Sequence, residues 1–396
     1  MMTPVELENK YGAHNYHPLP VMITRGKGIY VWDEKNKKYM DMMSAYSALS
    51  HGHCHPRLVE ALTHQAKTVA VVSRAFYSET LGKFLQKACE LTGMSRALPM
   101  NSGAEAVETA LKAARKWAYK VKKVPENQAE IIACTNNFHG RTISIVSMST
   151  EAQYRDGFGP FPTGFKIVQY GDAQALEKEI TPNTAAFIVE PIQGEAGIIV
   201  PPPGYLKACE EICRKHNVLF ITDEIQTGLG RTGKLLASQH ENVKPDGITL
   251  GKALGGGLMP VSLFLAREDV MDVFTPGDHG STFGGSPLAA AVGYEALNVL
   301  VEEELIQHAH TIGEYFMGEL KKIKSPLIKD LRGKGLLIGI EIDTQIKPAR
   351  EICLELLKLG LLSKETHHTV IRLAPPLIIT KEQIDEAMGI IKQVIS

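Results

Sequence analysis

In "DGITLGKALGGGLMP" a lysine, Lys252, ends an apolar run and stands before three glycines, Gly255 to Gly257. A lysine amine kept from bulk water beside a carbonyl can form a Schiff base. The glycines predict room for a carbonyl-bearing cofactor against that amine. "VLFITDEIQ" ends a second apolar run in Asp223 and Glu224; "AAFIVE" ends a third in Glu190 and continues through "PIQGEAG" to Glu195. The stretch from Asp223 to Lys252 suits a strand–helix–strand connection. An acid and an amine then leave neighbouring strand ends, where ligands of open α/β sheets bind. A carboxylate there can keep a pyridine nitrogen protonated, so that the ring draws electrons from the bond being broken. "LPMNSGAEAVETALKAARKWA" predicts an anion site. Ser102 and Glu105 form an S-x-x-E capping box, Gly103 permits close approach, and the free N–H groups of the following helix favour a phosphate.

Other motifs fail on order or context. A phosphate loop of the G-x-x-x-x-G-K-[ST] type needs its lysine after the glycines; here the order is reversed and Ala253 follows. "GLGRTG" matches a dinucleotide fingerprint at Gly228, Gly230 and Gly233, but "EIQT" separates it from the strand and no good helix follows. "HGHCHP" packs His51, His53, Cys54 and His55 together; adjacent side chains point apart, so a turn into the helix "PRLVEALTHQAKTV" is expected and no metal. Cys209 and Cys213 lie four apart on a predicted helix and read as buried thiols.

The elements that must position these residues follow from pattern. "AEIIACT", "AAFIVE", "VLFITDE", "GITLG" and "VSLFLA" are β-branched runs bounded by turn residues, as in a sheet covered on both faces. "GYLKACEEICRKHN" supplies a helix between two of them, which makes those two parallel. "GIYVWD" and "KKYMDMM" predict an early pair of strands. "AAAVGYEALNVLVEEELIQHAHTIGEYFMGELKKI" predicts a long helical stretch, "GLLIGIEI" a strand and "AREICLELLKLG" a helix. The C-terminal helix carries a stripe at 384, 387, 388, 391, 394 and 395, with Thr380 and Gln383 as its capping box. The fold class is α/β, with a large mostly parallel-sheet domain over 51–289. A smaller α+β domain combines the N-terminal segment 1–50 with 290–396.

Composition narrows the function. The 396 residues exceed one ordinary core. Hydrophobic content of 44%, charged content of 22% and a net charge of −1 exclude a large footprint for nucleic acid or anionic membrane. With no membrane-length apolar run, no leader-like start and six scattered cysteines, a cytoplasmic protein is expected.

Together "NSGAEAVETALKAAR", "FHGRT", "EPIQGEAG", "DEIQTGLGRTG", "LGKALGGG" and "GSTFGG" resemble the class III aminotransferases, fold-type I enzymes dependent on pyridoxal 5'-phosphate, from about Tyr11 to the C-terminus. "YGAHNYHPLPV", "SAYSALSHGHCHP", "SRAFY", "DGFGPF" and "IRLAPPL" are similar to the branch acting on L-ornithine with 2-oxoglutarate. The resemblance implies a homodimer with shared active sites. It also implies that Lys252 anchors the coenzyme and moves protons, Asp223 meets the ring nitrogen, Gln226 the ring hydroxyl and Phe138 the ring face. Gly103 and Ala104 would bind the phosphate, with Ser281 and Thr282 arriving from the partner. Tyr16 and Arg141 would hold the substrate carboxylate, Tyr46 would shape the pocket, and Glu195 and Arg372 would form an ion pair that opens for an α-carboxylate. Position 139 is His where some relatives carry Trp. N-acetylornithine or 4-aminobutyrate as donor, a decarboxylase and a silent coenzyme binder remain alternatives; Tyr16 and Tyr46 disfavour the first two, and intact Lys252, Asp223 and Arg372 disfavour silence.

Overall fold

The structure is a computed structural model and describes residues 2–396. Its centre is a seven-stranded sheet. Across the sheet the order is Arg96–Met100, Ser262–Ala266, Gly247–Leu250, Leu219–Asp223, Thr184–Val189, Glu130–Cys134 and Phe165–Val168. The last five run parallel; Ser262–Ala266 is antiparallel to both its neighbours. Every residue of Thr184–Val189 and Leu219–Asp223 is buried, which explains why those runs are continuous and not alternating. Tyr205–Lys215 is the helix between those two strands, and the Glu241 carboxylate accepts from the backbone N–H groups of Gly204 and Lys207 at its N-terminus. The helix Gly103–Trp117 packs on the sheet and starts with the expected reciprocal Ser102/Glu105 cap.

The early strands Ile23–Lys27, Tyr30–Asp33 and Lys38–Asp41 form an antiparallel ribbon, to which Leu361–Leu362 adds in parallel. One small sheet therefore joins the two ends of the chain. A second antiparallel sheet holds Ile328–Lys334, Leu337–Ile342, Val370–Leu373 and Lys364–Thr366. Ala349–Lys358 and Lys381–Ile395 are helices, the latter with the Thr380/Gln383 box and Ile384, Ala387, Met388, Ile391 and Ile395 buried.

Three expectations are corrected. The long helical stretch is two helices, Pro287–Glu302 and Leu305–Leu320, broken where Glu304 turns left-handed at φ 53°. The connection from Asp223 to Gly247 contains no α-helix, only buried turns and the 3-10 turn Ala237–Glu241. Glu224 holds those turns by accepting from Ala237 N, Ser238 N and Thr227 Oγ1. The glycines after Lys252 serve the backbone and the packing of leucines, although Gly257 also borders a hollow beside Lys252. Gly256 and Gly257 have φ of 60° and 74°, and a Cβ on either would strike Leu58 or Leu49 at 2.7 or 2.4 Å. They are needed for a left-handed turn under packed leucines.

Candidate active site

At the C-terminal ends of the parallel strands lies a cavity of about 210 Å³, lined by Gly103, Ala104, Phe138, His139, Gly140, Glu190, Ile192, Asp223, Ile225, Gln226, Thr227 and Lys252. Its floor is the pair of adjacent strand ends. Asp223 is the last residue of Leu219–Asp223, and its Cα partner on the next strand is Thr249, three residues before Lys252. Asp223 is held from several sides. Oδ1 accepts from Thr249 Oγ1 at 2.9 Å and Ile225 N at 3.1 Å, and Oδ2 lies 2.6 Å from His139 Nδ1. Lys252 has φ 47°, a left-handed conformation unusual outside glycine and common where function dictates the geometry. Burial pushes its amine below the ordinary lysine value, partly offset by the charges of Glu195, Asp223 and Glu190.

A second hollow of about 390 Å³ shares Lys252 and Gly103 and reaches Ala45, Leu49 and Asn101. Residues Ser44 to Ser47 above it are all left-handed, at φ 45–74°. This turn is built by Asp41, whose Oδ1 accepts from Met43 N and Ser44 N while His53 Nε2 binds Oδ2. It presents the Tyr46 ring to the Arg372 guanidinium at 4.7 Å. Arg372, 2% exposed, donates to Glu195 Oε1 at 2.7 Å, and Gln226 Nε2 donates to the same oxygen at 2.9 Å. Burial alone would raise the Glu195 carboxyl; the charges of Arg372 and Lys252 and these two hydrogen bonds hold it down to about 2. A Cβ on Gly194 would overlap Gln226 Oε1, so a larger residue there would push the Gln226 amide aside.

The remaining expected residues stand apart from the cavity wall within one chain. Arg141 is exposed and lies over the rings of Tyr154 at 3.8 Å and Phe138 at 5.5 Å. Tyr16 lies in the exposed N-terminal arm. Ser281 accepts from Asn101 Nδ2 at 2.7 Å beside the Ser102 cap, with Thr282 next to it. The histidines of "HGHCHP" take separate partners: His51 the Ala296 carbonyl, His53 Asp41 and His55 Glu303. Cys209 and Cys213 are buried and free.

Sequence reasoning left His139, Glu190 and Thr249 without a role at the site. Thr249 carried a signal, a hydroxyl inside an otherwise apolar buried strand. Glu190 stood at a strand end. Burial raises its carboxyl well above the usual range, with the Asp223 and Glu195 charges adding to the shift.

The model of the class-III aminotransferases matches residues 11–395. The chain belongs to that family. An ornithine aminotransferase of Brevibacillus brevis is 57% identical over 391 residues, 99% of this chain and 97% of that protein. A crystal structure of the ornithine aminotransferase from Toxoplasma gondii superposes with a TM-score of 0.97 at 47% identity, covering 100% of this chain and 95% of that one. An acetylornithine aminotransferase from Elizabethkingia anophelis gives 0.89 at 51%, over 99% and 97%. This class-III aminotransferase has the fold-type I architecture, and its coenzyme is pyridoxal 5'-phosphate. The cavity suits that group. Buried polar atoms with no partner among the described residues, Glu190 Oε2, Gln226 Oε1 and His139 Nε2, belong to residues that line it, and a helix N-terminus opens onto it.

Proposed function

We propose that this aminotransferase moves the δ-amino group of L-ornithine to 2-oxoglutarate, giving L-glutamate 5-semialdehyde and L-glutamate in two half-reactions at one site. The observation that carries this reading is the Arg372–Glu195 pair beside Tyr46. Ornithine must present its δ-amine with its α-carboxylate held away, whereas glutamate must present an α-amine with a carboxylate beside it. An arginine masked by Glu195 suits the first, and the same arginine unmasked suits the second.

Bound pyridoxal 5'-phosphate supplies a carbonyl that takes up the amino group and a ring that withdraws electrons. Around it the chain's residues have separate tasks. Gly103 and Ala104 N–H groups bind the phosphate, aided by the helix dipole. Asp223 holds the proton on the ring nitrogen, Phe138 covers a ring face, and Gln226 reaches the ring hydroxyl. Lys252 would anchor the coenzyme through Nζ and, with that amine free, would supply the group that takes and returns a proton; its lowered proton affinity suits both tasks. Tyr16 and Arg141 hold the ornithine carboxylate, and Arg372 takes that of the keto acid. Ser281 and Thr282 serve the site of a partner copy, which makes the working form a homodimer. Our reading further makes it a cytoplasmic enzyme with a large domain over 51–289 and a small one from 1–50 and 290–396.

A donor panel tests the reading. With 2-oxoglutarate as acceptor, ornithine should give aldehyde with kcat/KM at least about tenfold above N-acetylornithine and 4-aminobutyrate. Lys252→Ala should bind coenzyme and turn over negligibly. A preference for N-acetylornithine would overturn the donor assignment, and near-normal turnover of Lys252→Ala the role of the lysine.

A further inference from the structure

The loop that carries Glu195 leaves the seven-stranded sheet after Thr184–Val189, yet its backbone is bonded to the second antiparallel sheet, the one that holds Arg372. The Thr366 hydroxyl donates to the Glu195 carbonyl, and Arg332 Nε donates to the Gly197 carbonyl at 2.9 Å. Arg332 is itself fixed, since its terminal nitrogens donate to Glu341 at 2.7 Å and Asp330 at 3.0 Å. Thr366 pairs with Val370 on the neighbouring strand, two residues before Arg372. The loop is also closed on itself. Gln193 and Ile199 exchange backbone hydrogen bonds at 3.1 and 2.9 Å, and the N–H groups of Gly197 and Ile198 both donate to the Gly194 carbonyl. Gly197, at φ 109°, passes so close to the sheet that a Cβ would meet Val370 Cγ2 at 3.0 Å. Among the described residues, the Thr366 hydroxyl is the one group bonded to the backbone of Glu195 itself. Thr366 is buried and does not line the cavity.

We propose that Thr366 is a positioning residue for the Glu195–Arg372 pair and, through it, for the choice between ornithine and the keto acid. The inference rests on the reading above that Glu195 masks Arg372 for ornithine. One sheet sets the span between the two partners, because Arg372 stands in it and the Glu195 carbonyl is bonded to it. Arg372 and Gln226 act on the side chain of Glu195, at Oε1, whereas Thr366 acts on its main chain. The pair can therefore open by rotation of the Glu195 side chain while the backbone stays in place, and it closes again without ordering the chain. Without the hydroxyl, each closure must also immobilise the backbone of Glu195, so the closed state becomes less favourable relative to the open one. The masked form, which suits ornithine, is the form that loses.

Single-turnover stopped-flow on the coenzyme-loaded enzyme measures both half-reactions, beside the Kd of glutarate, a dicarboxylate with no amine or keto group to react. Thr366→Val keeps the shape and loses the donor. It should lower the efficiency ratio of ornithine to 2-oxoglutarate roughly fivefold, the low end of the cost of ordering one residue's backbone, and tighten glutarate by a similar factor. Thr366→Ser, which keeps the hydroxyl, should return both towards wild type. In the Glu195→Ala background Thr366→Val should change neither, because no carboxylate is left to position. An effect of the same size in that background would overturn the proposal, as would equal slowing of both half-reactions. Glu195→Ala alone is the control for the underlying reading. If it moves the ratio and Thr366→Val does not, the role of Thr366 is refuted and the reading of Glu195 stands. If it leaves the ratio unmoved, both fail. Should the valine variant not load coenzyme, Thr366→Ala decides by the same ratio: a shift that vanishes in the Glu195→Ala background supports the proposal, and no shift overturns it.

Discussion

Lys252 shows how function is set against stability in one side chain. Its amine lies below the ordinary value of 10.5 because burial disfavours the charged form. A base depressed in the folded state destabilises the fold while charged, and that penalty fades as pH rises towards 10.5. Lys252→Met in the coenzyme-free protein is therefore expected to raise stability at pH 7, read as a rise in Tm of about a degree or more for a chain of 396 residues. The gain should shrink as pH rises towards 10.5, as thermal unfolding at a series of pH values would reveal. A loss at neutral pH would contradict the electrostatic account. Glu195 behaves in the opposite sense. Its depressed carboxyl stabilises the fold above the unperturbed value of 4.5, and that contribution is lost as pH falls towards about 2, far below working conditions. Its effect at neutral pH is on selectivity. Glu195→Ala unmasks Arg372, so the 2-oxoglutarate half-reaction should persist or quicken while the ornithine half-reaction weakens. The ratio of their efficiencies should move at least about tenfold in single-turnover stopped-flow. Equal slowing of both would make Glu195 a scaffold residue.

At the scale of elements, continuous apolar runs were legible because a strand covered on both faces has no polar alternative. Both capping boxes were legible because their chemistry is local. What stayed hidden depended on packing from elsewhere. Arg96–Met100 contains Pro99 and an exposed arginine, and its antiparallel pairing along its length with Ser262–Ala266 is not written in its own pattern. The glycines after Lys252 looked like space because glycine is small; their left-handed torsions and the leucines above them are tertiary facts. The hydrogen bond between His139 and Asp223 joins segments 84 residues apart, and no local pattern encodes it. The left-handed turn Ser44–Ser47 is equally unreadable, since alanine and tyrosine avoid that region by roughly 1–2 kcal/mol per residue. Its strain gives a contrast between two alanines. Ala45→Gly, at φ 45°, should be neutral or stabilising by up to about 1 kcal/mol, because the relieved torsion offsets the entropy of glycine. Ala48→Gly, at φ −79° just beyond the turn, should destabilise by about 0.5–1 kcal/mol. Urea unfolding of the coenzyme-free variants measures both; equal losses would show that the turn is unstrained.

Over the whole molecule, one face carries apolar side chains that this chain leaves uncovered. Val69, Val71, Phe76 and Tyr77 are exposed, Phe76 at 69% and Tyr77 fully, and so is Phe283 beside Thr282. The two segments run together, since Leu288 N donates to the Ala70 carbonyl and a Cβ on Gly285 would touch Leu81 and Pro99. Burying an exposed Phe or Tyr contributes roughly 1.5–3 kcal/mol, so the three aromatics Phe76, Tyr77 and Phe283 on each of two copies would supply much of a stable association. The loop Thr275–Ser286 is also anchored on the helix whose N-terminus opens onto the cavity, through Lys116–Asp278 and Lys112–His279. Assembly and coenzyme binding are expected to be coupled through this loop. In the proposed homodimer, where Tyr77 would be covered, Tyr77→Asp should weaken dimerisation by at least about tenfold, because a carboxylate would be buried in place of a ring. Sedimentation velocity at falling protein concentration, read at the coenzyme absorbance and at 280 nm, measures both quantities together. Coenzyme should leave the variant over the concentration range in which it dissociates. A monomer that retains its coenzyme as tightly as the dimer would mean that each site is complete within one chain, and that Thr282 serves no site but its own.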